Sequence, residues 1–393
     1  MEPNLSRKIR NISFLLLILV AFIHGYNENL RLAGWGAHNP SPWLIFIERF
    51  VSDGFCRLAV PLFFSISGYL ASESIGRKFS IRACFYLLKK RVGSLLIPYL
   101  LVSATGIGLV ILLQLFPVSQ NFFNNYRLAT TPLSGWLRIW LLNPVPFQLW
   151  FIRFLMNYFL FFPFLFLAVR YLKELFLVIL FVFWAWPFLY SQIGFWKIAF
   201  SMCTMVFCFI SQTDWLPYIP TQKNELEGLF FFTLGIYVSL KRIPLILPVG
   251  KLFSCFFILI WLLWVAYRTQ LFFEFPSRHN EIHYHLIGFT MAGLVLLWYA
   301  YDAFSFQIES WKWLNRFAPY TFGIFLFHEP LLTIFKKGII YLLGVGDFTL
   351  LFSFLISPVL AFLFALWFSV FLAGTAPHIY NLFTGNRNPV PKK

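Results

Sequence analysis

The chain has 393 residues, of which 60% are hydrophobic, 22% aromatic and only 12% charged, with a mean hydropathy of +0.74. These values exclude a soluble globular protein and place the chain among polytopic membrane proteins. The net charge of +16 is not a nucleic-acid signature, because Lys and Arg concentrate in short segments between apolar runs, the positive-inside pattern.

Eleven apolar runs follow one another, near residues 12–28, 50–72, 94–116, 148–169, 175–190, 195–211, 226–240, 252–268, 284–303, 318–337 and 348–373. The first follows a basic stretch but holds His24 and lacks a small-residue cleavage site, so it reads as a span rather than a signal peptide. If every run crossed, the basic segment 241–251 and the basic tail would lie on opposite faces, against the charge bias. Ten spans with both termini cytoplasmic fit better, residues 175–211 making one net crossing because Pro187 and Gly194 interrupt them. The fold class expected is therefore all-α, a polytopic transmembrane helix bundle. With no long polar block, residues 1–393 are expected to form a single membrane-embedded domain without an appended soluble one, and no transporter-type repeat stands out. The five cysteines lie in or beside apolar segments without paired spacing, so neither a disulfide nor a zinc site is expected.

Inside these runs sit charges that lipid does not tolerate unpaired. At 1.5 Å per residue, His24 lies roughly 18 Å from the inner end of the first span and Arg57 roughly 10 Å from the outer end of the second. In a core of about 30 Å these depths coincide. Arg153 enters the fourth span slightly shallower, and His328 with Glu329 lies roughly 15 Å into the ninth. Five ionisable side chains from four helices thus converge on the middle and outer half of the membrane. A neutral imidazole there can take a proton from a hydroxyl attacking a carbonyl, while guanidinium groups stabilise the oxyanion, which is acyl-transfer chemistry. Taken singly, a membrane histidine is as readily explained as a hydrogen-bonder between packed helices.

Between the second and third spans, Arg77, Lys78, Arg82, Lys89, Lys90 and Arg91 form a cationic cytoplasmic segment suited to an anionic phosphate ligand. Ordinary anchoring to anionic lipid explains the same residues. The stretch RHNEIHYH brings His279, Glu281, His283 and His285 into a spacing compatible with a divalent metal, or simply a polar helix start, and no metal is expected to be needed. The aromatic- and amide-rich segment 121–136 has the composition of a carbohydrate site and equally of an interfacial aromatic belt.

In order along the chain, FIHGYN, RLAVPLFFSISGYL, LLKKRVGSLLIPYL, LWFIRFLMNYFLFFP and YTFGIFLFHEPLL resemble the motifs of the acyltransferase-3 family of integral-membrane O-acyltransferases. The resemblance implies transfer of an acyl group, acetyl above all, from acyl-CoA to glycans of surface polysaccharides or to lipid-linked saccharides. By the same resemblance His24 is the catalytic base, Arg57 and Arg153 lie at the active site, and Lys89, Lys90 and Arg91, with Arg82 nearby, receive the CoA phosphates. Ser65 and Ser67 flank the route from donor to base. One position departs: many members carry an arginine eleven residues before the first-span histidine, where this chain has Ser13, with Arg10 one turn earlier. Either Arg10 or another cation takes that part.

The partners expected are thus acyl-CoA, a glycan or lipid-linked saccharide acceptor and membrane lipid, with no nucleic acid; a homo-oligomer is compatible with the sequence. The expected location is the plasma membrane. A multi-span transporter or flippase for an anionic or saccharide substrate is the rival reading, since it too explains Arg57, but it has no need of His24.

Overall fold

The computed structural model describes residues 2–26, 40–117, 119, 128, 131–142, 144–189, 222–274 and 279–387, without the side chains of 186–189, 222–225, 272–274 and 279–286. In chain order the first helices are α1 (Pro3–Gly25), α2 (Pro42–Arg49), α3 (Ala59–Ser74), α4 (Ile81–Arg91), α5 (Ile97–Leu115), α6 (Leu133–Leu142), α7 (Trp150–Leu172) and α8 (Glu174–Leu189). They are followed by α9 (Gln222–Lys241), α10 (Lys251–Glu274), α11 (His279–Ser310), α12 (Lys312–Phe317), α13 (Thr321–Leu343), α14 (Asp347–Thr375) and α15 (Pro377–Thr384). No strand occurs among the described residues, and the protein is an all-α polytopic helix bundle.

Seven segments of the described residues are long and apolar enough to cross a membrane: Pro3–Gly25, Pro42–Ser74, Ile81–Leu115, Phe147–Leu172, Lys251–Leu271, Ile287–Ser310 and Asp347–Thr375. The helix Thr321–Leu343 has the length but carries Glu329, Lys336 and Lys337. Ten of the eleven apolar runs lie on helices; the run 195–211, and with it the choice between one and two crossings, falls outside the described residues.

The first span begins nine residues earlier than its apolar run, because the polar residues before that run are buried with partners. Lys8 Nζ lies 2.8 Å from Asp302 Oδ2 and donates to the Leu245 carbonyl at 2.7 Å, and the Asn11 amide donates to the Tyr301 hydroxyl at 3.0 Å. A helix in the bundle interior can keep such groups, since their hydrogen bonds replace the water they lose.

The second span is not one regular helix. Between α2 and α3 the backbone passes through a π-helical turn, Phe50–Gly54, and a 3₁₀ turn, Phe55–Leu58, with Gly54 at ψ −110° between them. Irregular backbone at membrane depth survives only inside protein, where its polar groups find partners. Here the Ser52 hydroxyl donates to the Phe22 carbonyl of α1 (2.8 Å), and Arg268 of α10 donates to the Asp53 carbonyl (3.0 Å).

Beyond the break, α3 lies against α9 at backbone distance. A Cβ on Gly68 would overlap the Phe232 carbonyl, and one on Gly235 would overlap the Ser65 carbonyl, so only glycine permits the approach. Small residues serve membrane helices in this way, because close backbones gain dispersion energy that apolar bulk cannot supply in lipid. The first helix runs through the middle of the bundle, packed on α3, α13, α14 and the irregular turns.

Candidate active site

A cavity of about 380 Å³ runs along one face of α1. Its lining from that helix is Arg10, Ser13, Leu17, Val20 and His24, spaced three and four residues apart, so each successive side chain stands one turn further along a single stripe. Fourteen residues at 1.5 Å put Arg10 and His24 about 21 Å apart along the helix axis. The opposite walls come from Val60, Phe63, Ser67 and Leu70 of α3, from Phe151, Leu155 and Phe159 of α7, and from Phe322 and Phe325 of α13. Between the Arg10 and His24 ends of the stripe the lining is mostly apolar, with Ser13 and Ser67 among its few polar side chains.

At the Arg10 end, Arg91 at the close of α4 and Arg387 beyond α15 join the lining. The Arg91 guanidinium lies over the Phe159 ring at 4.7 Å and that of Arg387 over the Phe322 ring at 3.7 Å. Neither forms an ion pair with a carboxylate among the described residues, and the side-chain hydrogen bond of Arg10 there goes to the Asn315 amide oxygen at 3.5 Å. Burial, and after it the neighbouring Arg91, pulls Arg387 below the ordinary arginine range, to about 10. Of the other cations expected here, Arg82, Lys89 and Lys90 are exposed and do not line the cavity.

At the other end His24 faces the cavity, its ring centroid 5.9 Å from that of His328. His328 is 1% exposed. Its Nδ1–H donates to the Phe325 carbonyl (2.9 Å), with the Ile324 carbonyl at 3.3 Å. Carbonyl oxygens only accept, so in the neutral ring the hydrogen sits on Nδ1 and the lone pair on Nε2, which has no partner among the described residues. The next residue, Glu329, leaves the helical conformation (φ −100°, ψ 136°) ahead of Pro330. The turn loses its internal hydrogen bonds there, and the Gln148 amide reaches the freed Leu326 and Glu329 carbonyls at 3.5 and 3.4 Å. The Glu329 carboxylate accepts from Thr333 at 3.0 Å. One turn on, Lys336 donates to the His24 carbonyl (3.5 Å) and to the Tyr26 carbonyl, closing the end of α1 that carries His24.

Sequence depth alone brings His24, Arg57, Arg153, His328 and Glu329 together; the structure divides them. Of the five only His24 lines the cavity; His328 stands beside it with the ring centroids 5.9 Å apart, Glu329 is the next residue, and Arg57 and Arg153 are held elsewhere. Arg57 Nη2 is paired with Glu227 Oε2 at 3.1 Å, one turn beyond Val60, and Arg153 donates to the Leu142 carbonyl with its guanidinium over the Phe154 ring. Equal depth places residues on one plane but not on one side of a helix, and these two guanidinium groups are drawn toward oxygens already inside the protein. Ser67 lines the cavity; Ser65 does not, and its buried hydroxyl has no partner among the described residues.

Glu227, Lys336, Gln148 and Arg387 are site or site-wall residues that the sequence reading passes over. Glu227 and Lys336 carry a detectable signal, being charges within helical runs, but Gln148 sits in the short 3₁₀ turn Phe147–Leu149 and Arg387 in a tail, both of ordinary composition. The side chains of His279, Glu281, His283 and His285 lie outside the described residues, and no group of metal-ligating side chains occurs among those described.

Residues 9–376 match the family model whose description is an acyltransferase domain, that of the acyltransferase-3 family, over nearly the whole chain. The chain belongs to this family. No curated protein and no solved structure matches it. The cavity just described is therefore that of a membrane acyltransferase, and the resemblance carried by the His24, Arg57 and His328 motifs extends across the domain. In this acyltransferase the position eleven before His24 is Ser13, which lines the cavity, and Arg10 lines it one turn further from the histidine. A guanidinium is thus supplied from the same face of the same helix.

Proposed function

We propose that this acyltransferase moves an acyl group, acetyl in the simplest case, from cytoplasmic acyl-CoA to a hydroxyl of a glycan or lipid-linked saccharide at the outer half of the plasma membrane. The observation that carries the reading is the polarity of the cavity: guanidinium groups without a carboxylate partner among the described residues at one end, the His24 imidazole backed by His328 at the other, and a mostly apolar passage between. An anionic headgroup joined to a long, thin, mostly apolar arm matches that order of surfaces. In this reading Arg10 and Arg91 take donor phosphates, Lys89 and Lys90 raise the local anion concentration from outside, and the pantetheine arm passes Ser67 toward His24.

At the far end the neutral His24 ring accepts the acceptor's hydroxyl proton as that oxygen bonds to the thioester carbonyl carbon. The carbon–sulfur bond then breaks, and the departing thiolate takes the proton back from the imidazolium, leaving an ester and CoA. His328 holds its Nε2 lone pair beside this exchange, and Lys336 fixes the backbone from which His24 projects. Arg57 and Arg153 do not contact the thioester in this reading, since neither lines the cavity and each is already engaged.

The test is turnover by the purified protein in nanodiscs, with free CoA thiol followed against a panel of glycan acceptors. Acceptor-dependent thiol release that disappears in His24→Ala, with donor binding retained, is the expected result. Absence of acyl-CoA binding, or full activity in the variant, overturns the proposal.

A further inference from the structure

The matched family region ends at residue 376, but the chain goes on to form part of the cavity. Helix α15 is seated by Tyr380, 1% exposed, and by the buried Thr384. The backbone then reverses through two consecutive left-handed residues, Gly385 (φ 65°) and Asn386 (φ 63°), and the Asn386 N–H donates to the Asn381 carbonyl at 2.8 Å. Glycine is required at the first of these positions, because a Cβ there would meet the Ser94 main chain as well as the strain of positive φ. Ser94 belongs to the π-helical turn Val92–Leu96 that follows Arg91, so the reversal docks the tail directly beside Arg91.

Its product is a second guanidinium in the same lining as the first, near enough for the charge of Arg91 to act on it, each laid over an aromatic ring. Two like charges held partly out of water repel each other, and no carboxylate among the described residues relieves them. A fold that builds a dedicated turn to create this repulsion gains only when a shared anion occupies the gap. A guanidinium stacked on a ring also keeps its in-plane N–H groups available for a bidentate phosphate contact.

We infer that residues 377–387, outside the matched family region, form one wall of the donor site, and that Arg387 and Arg91 clasp a phosphate group of the donor between them. This deepens the donor reading above and rests on it.

The test compares two donors on the full-length protein in nanodiscs: acetyl-CoA, and S-acetylpantetheine, which carries the thioester arm without phosphates. Arg387→Gln should raise KM for acetyl-CoA about tenfold, the worth of one charge-assisted hydrogen bond, with kcat unchanged. Its kcat/KM for S-acetylpantetheine should equal that of the wild type, and Arg387→Lys should fall between. Gly385→Ala, which moves the tail without altering charge, should reproduce the acetyl-CoA defect. Wild-type KM for acetyl-CoA in Arg387→Gln, or an equal loss with both donors, overturns the assignment and leaves Arg387 a structural residue. Wild-type protein that uses neither donor overturns the donor reading itself, a result distinct from either of those.

Discussion

The two charged ends of the bundle are built on opposite terms. Around Arg57 the charges answer one another: Arg57 with Glu227 at 3.1 Å, Arg49 with Asp53 at 3.9 Å, and Arg268 on the Asp53 carbonyl at 3.0 Å. At the other end Arg10, Arg91 and Arg387 meet in a cavity with no carboxylate partner among the described residues. The contrast even divides α1 itself, where Arg7 and Lys8 are paired with Glu309 and Asp302 while Arg10 faces the cavity. Paired charges inside a membrane hold helices together, and cutting one strands the other; unpaired charges around a cavity leave the fold indifferent to their loss and the ligand dependent on them.

That contrast is open to direct attack. The largest effect belongs to neither cluster: His24→Ala should lower turnover by about 10²–10⁴, the usual worth of a general base, with donor affinity and thermal stability unchanged. Glu227→Ala should cost about 1–3 kcal/mol by leaving the partly buried Arg57 without its partner, read as a fall in unfolding temperature in detergent, and Arg57→Met in the same chain should restore most of it. If the single variant is as stable as the wild type, the paired end is not structural. Lys336→Met removes the donor to the His24 and Tyr26 carbonyls and should lower kcat, by roughly 1–3 kcal/mol in barrier, while KM for the donor holds. Arg91→Gln should do the reverse, raising donor KM about tenfold without loss of stability, more weakly at high salt. Smallest of all, Lys89→Gln with Lys90→Gln should change donor KM by under about 0.5 kcal/mol, because both side chains are exposed.

Much of the architecture was legible in the apolar runs, since a lipid-spanning helix must announce itself by composition. The start of α1 was not, because Lys8 and Asn11 look like a solvated lead-in until Asp302 and Tyr301, some 290 residues away, supply their partners. Of the cavity lining, His24 was legible by type and depth and Arg91 by the charge of its segment. What depth does not carry is azimuth, the direction a side chain takes around its helix, and Arg57 and Arg153 part from His24 on that coordinate. Within α1 the azimuth was recoverable, because positions 10, 13, 17, 20 and 24 share a stripe. Between helices it depends on packing such as the Gly68 and Gly235 contact, which the glycines permit but do not spell out.

The Arg57 and Glu227 pair has a consequence for how the protein is made. The two residues are 170 positions apart. At about 5–20 residues per second, a ribosome delivers Glu227 roughly 10–30 s after Arg57. Throughout that interval the guanidinium has only the charge of Asp53 near it from its own span, and the glycine seam with α9 is unmade. Assembly of this half of the bundle therefore waits for α9, which brings both Glu227 and the Gly235 side of the seam, and a chain halted before it would be a substrate for membrane quality control.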